Sequence, residues 1–508
     1  MAAFVLSNLV GLARQILISR AFGTGGDLDA FYIAQRLPDI LFNLAAGGAL
    51  ASAFVPTFTG FLTRGDRAGA WRLASGVMNL VFLILTAASL LAALLAPLLV
   101  RSMLGPGFSP EQQALTVALL RILLISSVIF GLSGLLMGIL NAHQHFLLPA
   151  LAPTFYWLGM IFGLLAWAPR MGIFGLAWGA VLGAGLHLAV QLPALPGIRP
   201  RLTFDLGLGN ASVRDVIRLM GPRLIGVAAV QLNFLVTAAL ASFMVGGSVA
   251  ALNYAWQIFT MPQVVIAQSI AIAALPTFSA MAARGEINAM RASLADTLRG
   301  ILFLALPAAV GMLALGVPVI ALLFQYGSFD AESTLLVAWA LAFYTIGLAS
   351  HSVVEIVSRA FYALHDTRTP VAIGAAAMGL NVVLCFVFAA LFTRLGWAAH
   401  GGLAFANTLA TTLEMAGLLW ILRRRLNGLA FTRIWPGLWR TALAAVFMGA
   451  LLLVWLQYTQ ALPLWLIGPG GVAFGGLVFG GMAYGLRVPE ARLLPKMVSE
   501  RIQAARSS

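Results

Sequence analysis

Residues 12–58 read LARQILISRAFGTGGDLDAFYIAQRLPDILFNLAAGGALASAFVPTF, which is two apolar runs joined by the polar turn Gly23–Asp29. Charged side chains stand inside both runs: Arg14 in the first, and Arg36 and Asp39 in the second. An ionisable side chain at membrane depth is costly unless it faces a water-filled cavity or a partner. The stretch therefore predicts two membrane helices that carry a functional site.

The composition of the whole chain indicates a polytopic membrane protein. Of its 508 residues, 61% are hydrophobic and only 9% are charged, whereas a soluble domain carries roughly 25% charged residues. A spanning helix needs roughly 20 apolar residues, and on that measure the chain has about fourteen spans. We therefore expect an all-α fold. The first apolar run lacks a basic leader and a cleavage site, so we interpret it as a membrane helix.

The net charge of +14 follows from arginines in the breaks between apolar runs. Basic and non-basic breaks alternate along the chain, as the positive-inside rule requires, so this charge is no sign of nucleic-acid binding. We predict that the basic breaks and both termini face the cytoplasm. The basic set comprises residues 64–72, 199–218, 284–291, 368, 423–433 and the tail with Arg487, Arg492, Lys496, Arg501 and Arg506.

An internal repeat divides the chain. Pro56-Thr57-Phe58 recurs as Pro276-Thr277-Phe278, and Pro149 matches Pro370, each pair roughly 220 residues apart. Two copies of six spans share one orientation, and parallel repeats of this kind build two-lobed transporters with a central cavity. We predict an N-lobe at 1–195 (spans 1–6), a cytoplasmic linker with an amphipathic helix at 196–222, a C-lobe at 223–425 (spans 7–12), and spans 13 and 14 with a basic tail at 426–508.

The sequence alone allows two interpretations for some of the candidate site residues. Asp29 suits the cap of the second helix better than a metal site with Asp27, because aspartate at a helix start accepts backbone N–H bonds. Glu355 and Arg359 lie four residues apart on one helical face with His351, either as a buried ion pair or as a coupling or gating pair. Arg14 either binds an anion in a cavity or has Asp39 or a carbonyl as its structural partner. Neither a nucleotide-binding motif nor a disulfide is expected: a Walker A motif is missing, and Cys385 is the single cysteine.

Six short motifs lie in order along most of the chain. They are Gly11-Leu12-Ala13-Arg14, Leu28-Asp29-Ala30-Phe31, Arg36-Leu37-Pro38, Ala53-Phe54-Val55-Pro56, Phe324-Gln325-Tyr326-Gly327 and Thr369-Pro370. Together they resemble the MurJ (MviN) family of the MOP exporter superfamily. The resemblance implies fourteen helices, in two six-helix lobes plus a terminal pair. It also implies a flippase, not an enzyme, for lipid II, the undecaprenyl-diphosphate-linked peptidoglycan precursor of the bacterial inner membrane. Transport would proceed by alternating access without a cofactor, driven by the membrane potential or an ion gradient.

Several charges of the family pattern are missing here. Asn8, Phe42 with Asn43, and Gln257 stand where the family carries arginine, and Gln15 stands where it carries aspartate. The chain could therefore move another polyprenyl-linked or amphiphilic substrate, or act as a transport-deficient scaffold of envelope assembly. Our predicted site comprises Arg14 and Arg36 for headgroup contact, Asn8, Gln15, Asp39 and Gln257 as cavity lining, and Asp29, Glu355 and Arg359 for coupling or gating. No metal site is predicted, and we expect a monomer whose partners are its lipid-linked diphosphate substrate and membrane lipids.

Overall fold

The computed structural model describes residues 2–45, 48–198, 200, 202–207 and 209–492. All regular secondary structure within these ranges is helical. Arg199 and Arg201 of the predicted linker, and Lys496, Arg501 and Arg506 of the predicted basic tail, lie outside the described residues.

Nineteen α-helices occupy the described part of the chain. They are α1 (Ala2–Phe22), α2 (Gly26–Ala45), α3 (Gly48–Thr63), α4 (Arg67–Leu99), α5 (Pro110–Ala142), α6 (Leu147–Phe162), α7 (Ala168–Met171), α8 (Ile173–Ala189), α9 (Leu195–Ile198), α10 (Ala211–Ala241), α11 (Ser248–Gln263), α12 (Ser269–Ala283), α13 (Ile287–Phe324), α14 (Ala331–Ile346), α15 (Leu348–Ala363), α16 (Arg368–Arg394), α17 (His400–Arg425), α18 (Phe431–Tyr458) and α19 (Leu464–Gly485). Short π-helical segments extend α4, α6 and α11 at Val100–Leu104, Gly163–Trp167 and Val264–Gln268.

Polar caps mark the starts of several helices. Asp66 accepts a bond from the Gly69 amide at the start of α4, and Ser109 forms a capping box with Gln112 at the start of α5. Such caps satisfy amides that have no partner inside the helix. They fall in the polar breaks that the sequence pattern identifies.

The helices confirm the predicted all-α class of a multi-pass membrane protein. Within the described residues, ten helical stretches are long and apolar enough to cross a membrane. The pair α14 and α15, bent by 45°, makes an eleventh if it forms one span, and Ala53–Thr63 and Val230–Ala241 are shorter apolar helices. The helices α1 and α2, which carry the charged residues Arg14, Arg36 and Asp39, are not among the ten. The number fourteen stays a prediction.

The chain forms two compact units. Unit 1 comprises Met1–Ala250 with Tyr326–Phe329, and unit 2 comprises Ala251–Gln325 with Asp330–Ser508. The lobe boundaries inferred from the repeat stay a prediction. The core of unit 1 contains Phe54, Phe58 and Trp71.

The predicted amphipathic helix of the linker is absorbed into α10. Asn210 caps this helix by accepting a bond from the Ser212 amide, and Val213 and Val216 are completely buried in the core of unit 1. Ile217 and Leu219 of the same helix are exposed. Because its valines pack into the protein, this segment opens a 31-residue helix instead of forming one of its own.

Two apolar clusters lie in the described part of unit 2. One joins α12, α13, α15 and α17 through residues such as Phe278, Leu298 and Phe361. The other joins α13, α18 and α19 through residues such as Met448 and Phe479.

Candidate functional site

The guanidinium of Arg14 stacks on an aromatic ring. Its central carbon lies 4.2 Å from the centroid of the Trp157 indole, and Nη1 lies 3.7 Å from the Met160 sulfur. Both partners belong to α6, which packs against α1. A cation over an indole face is attracted by the ring quadrupole, so the tryptophan stabilises the guanidinium without neutralising its charge.

A hydrogen-bonded chain connects Arg14 to α2. Nη2 of Arg14 donates to Gln15 Oε1 at 2.8 Å, and Gln15 Nε2 donates to the Tyr32 hydroxyl at 2.9 Å. Gln15 is 2% exposed, so its amide is fixed between these two groups. An amide accepts the bond that a carboxylate would accept but adds no negative charge. Gln15 therefore orients Arg14 and leaves its positive charge in place.

The charged residues of α2 share the same neighbourhood. The guanidinium of Arg36 lies 5.7 Å from the ring of Phe234, on α10, and interacts electrostatically with Asp39. Tyr32 interacts electrostatically with both Arg14 and Arg36. Tyr156, which precedes Trp157, interacts electrostatically with both Arg14 and Asp39. Unit 1 thus brings two arginines and one aspartate together, and the summed charge of these three groups is positive whether or not the aspartate is ionised.

Two predicted lining residues are placed differently. Asn8 is exposed on α1. Gln257 belongs to α11 in unit 2, where its carbonyl oxygen accepts a bond from the Thr260 hydroxyl. The structure therefore brings together Arg14, Gln15, Arg36 and Asp39 within unit 1, and we call these residues the Arg14 cluster. The cavity role of Asn8 and Gln257 stays a prediction.

Asp29 caps a distant helix. Its Oδ2 accepts from the Gly247 amide and its Oδ1 from the Ala250 amide, both at 2.7 Å. Both amides lie at the start of α11. The sequence predicts instead that Asp29 caps the second helix, but α2 begins at Gly26, so Asp29 lies inside its first turn. The first amides of a helix have no partner inside it and attract a negative charge. Gly247 has a φ of 90°, and a Cβ there would collide with the Thr24 carbonyl oxygen.

The predicted pair on α15 is in contact. Arg359 Nη2 lies 3.6 Å from Glu355 Oε2, and both side chains are more than a quarter exposed. His351, one turn earlier, is hydrogen-bonded to Asn407 Oδ1 at 3.2 Å and packs against the ring of Phe259. The geometry is that of an ion pair between Glu355 and Arg359, and a coupling or gating role for the pair stays a prediction.

The sequence pattern misses the aromatic partners of the site. Trp157, Tyr156 and Phe234 are unremarkable members of apolar runs, and Met160 lies 146 residues from Arg14 along the chain. Only the packing of α6 against α1, and of α10 against α2, brings them to the arginines.

The chain matches the family model described as Lipid II flippase MurJ over residues 18–467. It is 31% identical over 429 residues to the lipid II flippase MurJ of Burkholderia cenocepacia, covering 83% of this chain and 82% of the relative. It is also 31% identical over 485 residues to the probable lipid II flippase MurJ of Rhizobium meliloti, covering 90% and 86%.

Solved structures show the same fold. A lipid II flippase MurJ in an inward closed conformation superposes with a TM-score of 0.80 at 24% identity, covering 95% of this chain and 97% of that one. An inward-facing multidrug resistance MATE family transporter of the MOP superfamily gives a TM-score of 0.71 at 19% identity, covering 84% and 96%. On the family model and the curated relatives together, the chain belongs to the MurJ family.

Proposed function

We propose that this chain moves lipid II across the bacterial inner membrane by alternating access. Its membership in the MurJ family supports this function, and the structural observation that carries it is the Arg14 cluster. A diphosphate headgroup cannot enter hydrocarbon without compensation of its charge. Guanidinium groups bind phosphate oxygens in a bidentate manner, and here one is held between Trp157 and Gln15 with its charge retained.

The proposed roles follow from these contacts. Arg14 and Arg36 contact the diphosphate, Gln15 and Tyr32 hold Arg14 in place, and Asp39 offsets part of the charge so that the headgroup can leave. Asn8 and Gln257 are proposed as further lining residues. A moderate surplus of charge suits a transporter, because a site that binds too tightly would retain its substrate.

Asp29, Glu355 and Arg359 are proposed to serve coupling or gating. The two bonds that Asp29 accepts at the start of α11 support this role for Asp29. The ion pair between Glu355 and Arg359 supports it for those two residues. Transport involves no covalent catalysis and no cofactor in this proposal. The membrane potential or an ion gradient supplies the energy.

The proposed setting is the plasma membrane, with both termini in the cytoplasm. The alternation of arginine-rich and arginine-poor breaks supports this orientation. We propose that the chain works as a monomer, since one chain carries both copies of the six-span repeat. Its partners are the lipid-linked substrate and membrane lipids.

A second candidate is the transport of another polyprenyl-linked or amphiphilic substrate. It is favoured by the neutral residues at positions where the family carries charge, among them Gln15 and Asn43. Asn43 donates its side-chain amide to the Asp39 carbonyl oxygen at 2.8 Å. A side chain used in this way contributes no cation to a headgroup.

Complementation of a bacterial strain depleted of its lipid II flippase tests the proposal. Wild type and Arg14→Gln are compared with Arg121→Gln, the matched control. Arg121 is an exposed arginine of α5 that donates to the Ala93 carbonyl oxygen. We expect rescue by wild type and by Arg121→Gln, and loss of rescue with Arg14→Gln at equal membrane levels on immunoblots.

The outcomes separate the candidates. Absence of rescue by well-expressed wild type would overturn the lipid II assignment in favour of another substrate or a scaffold. Full rescue by Arg14→Gln would remove the role given to that side chain.

A further inference from the structure

A second basic site lies at the C-terminal end of α17, within unit 2. A cavity of about 410 Å³ opens there, and we call it the Trp420 pocket. Its lining comprises Trp420, Arg423, Arg424, Asn427 and Gly428. None of these residues belongs to the Arg14 cluster.

The three consecutive arginines of this helix end have different partners. Arg425 forms an ion pair with Asp366, with Nη2 at 2.7 Å from Oδ2. Arg423 and Arg424 line the pocket, and no carboxylate in the described part of the chain lies within ion-pair distance of either. Among the described residues, the pocket therefore presents two positive charges that no carboxylate balances.

An aromatic ring fixes one of the two guanidinium groups. The central carbon of Arg424 lies 3.8 Å from the centroid of the Trp420 ring, which is 54% exposed. Arginine and tryptophan one turn apart at the end of a span are typical of the membrane–water interface. The indole offers an apolar surface directly beside the cationic one.

Two hydrogen bonds to backbone carbonyl groups hold the turn after α17. Arg291, from α13, donates Nη1 to the Asn427 carbonyl oxygen at 2.8 Å, and the Gly428 amide donates to the Arg423 carbonyl oxygen at 2.8 Å. Carbonyl groups at a helix end carry partial negative charge. Arg291 and Gly428 thus already bind two carbonyl groups of this helix end, and they hold the turn that borders the pocket. The backbone at Gly428 has a φ of 123°, which favours glycine.

We propose that the Trp420 pocket binds the headgroup of an acidic phospholipid. The phosphate lies between the guanidinium groups of Arg423 and Arg424, and the acyl chains follow the exposed face of Trp420 into the bilayer. Guanidinium groups recognise phosphate oxygens by paired, charge-assisted hydrogen bonds. The volume of the pocket is in the range of small-molecule sites. Solvated arginines that merely obey the positive-inside rule need neither a pocket nor a stacked ring.

Native mass spectrometry of the purified full chain tests this site. The protein is titrated with phosphatidylglycerol and, separately, with phosphatidylcholine of the same acyl chains. We expect one phosphatidylglycerol to bind more tightly than the rest, and the double variant Arg423→Gln/Arg424→Gln to weaken it by about 30-fold. We expect Trp420→Leu to weaken it less.

The matched control is the double variant Arg214→Gln/Arg218→Gln. Both arginines are exposed on the first turns of α10, so the variant loses the same charge elsewhere. We expect it to keep the wild-type affinity for the tightest lipid. Thermal unfolding of each variant in detergent checks that it is folded.

Four outcomes would overturn the proposal. They are an unchanged affinity in the Arg423→Gln/Arg424→Gln variant, an equal loss in the control variant, equal binding of phosphatidylcholine, and full competition by soluble glycerol phosphate. The last would identify a site for a free phosphate ester. The readout does not involve lipid II, so either proposal can fail without the other.

Discussion

At the scale of single residues, Asp366 joins the loop before α16 to the end of α17. It accepts bonds from the Thr369 hydroxyl at 2.6 Å and from the Thr369 amide at 3.0 Å, and it pairs with Arg425. These contacts, the Thr369 hydroxyl bond first, lower the pKa of the Asp366 carboxyl below its usual value of 3.8.

We expect Asp366→Ala to lower the free energy of unfolding by about 1–2 kcal/mol at neutral pH, the typical cost of losing a helix cap. Because the pKa of the folded state is below 3.8, the stabilisation is fully present above that value. It is lost as the pH falls through the pKa of the folded state. Unfolding of wild type and variant in detergent between pH 7 and pH 2 measures the difference.

The control for this prediction is Asp366→Asn. Asparagine keeps an acceptor for the Thr369 groups but cannot titrate, so the variant should lose only the charge-dependent part of the stabilisation. A constant gap between wild type and Asp366→Ala at every pH would show that the charge of Asp366 contributes nothing.

Some residues of the site around Arg14 are predictable from the sequence, and others are not. Arg14, Arg36 and Asp39 are predictable because an ionisable side chain at membrane depth is costly unless it faces a cavity or a partner. Trp157 and Met160 are not, because aromatic and sulfur side chains are ordinary in membrane helices. Nothing in their local sequence indicates that α6 places them beside Arg14.

At the scale of elements, the bend between α14 and α15 depends on one glycine. Gly347 separates the two helices, and a Cβ there would lie 2.7 Å from the Thr408 hydroxyl oxygen of α17. That hydroxyl donates to the Phe343 carbonyl oxygen at 2.7 Å, which satisfies a backbone group released by the bend. The close approach of α17 therefore requires glycine at this position.

We predict that Gly347→Ala destabilises the protein by about 1–3 kcal/mol, because the buried Thr408 hydroxyl has to move and weaken its bond. Gly311→Ala, in α13, is the matched control. A Cβ at Gly311 meets no neighbour, so alanine should be neutral or stabilise by up to about 1 kcal/mol through its helix propensity. Thermal unfolding in detergent compares the two. Equal behaviour of both variants would contradict the packing role of Gly347.

The existence of the helices is predictable from the apolar runs, but their long-range connections are not. The bonds from the start of α11 to Asp29 span 218 and 221 residues. A local pattern can assign Asp29 only to the helix that follows it. The same limit applies to the start of α10, where apolar spacing predicts an amphipathic surface but cannot reveal that Val213 and Val216 pack into a core.

At the scale of the whole molecule, composition alone establishes the class. A chain with 9% charged residues cannot supply a soluble surface, and the comparisons add that it belongs to the MurJ family. Counting spans from hydropathy has a limit at α2, which carries Arg36 and Asp39 and is not among the helices apolar enough to be counted. The functional residues thus interrupt the hydropathy pattern from which spans are counted.

The central claim is that Arg14 contacts the diphosphate of a lipid-linked substrate during transport. Translocation of labelled lipid II in reconstituted vesicles tests it most directly. Wild-type protein should move the lipid faster than protein-free vesicles do. Arg14→Gln should lower the rate at least about tenfold, since a hydrogen bond to a charged group contributes about 1.5–3 kcal/mol. Arg121→Gln should match the wild type. A wild-type rate in Arg14→Gln, or no translocation by the wild type, would contradict the account.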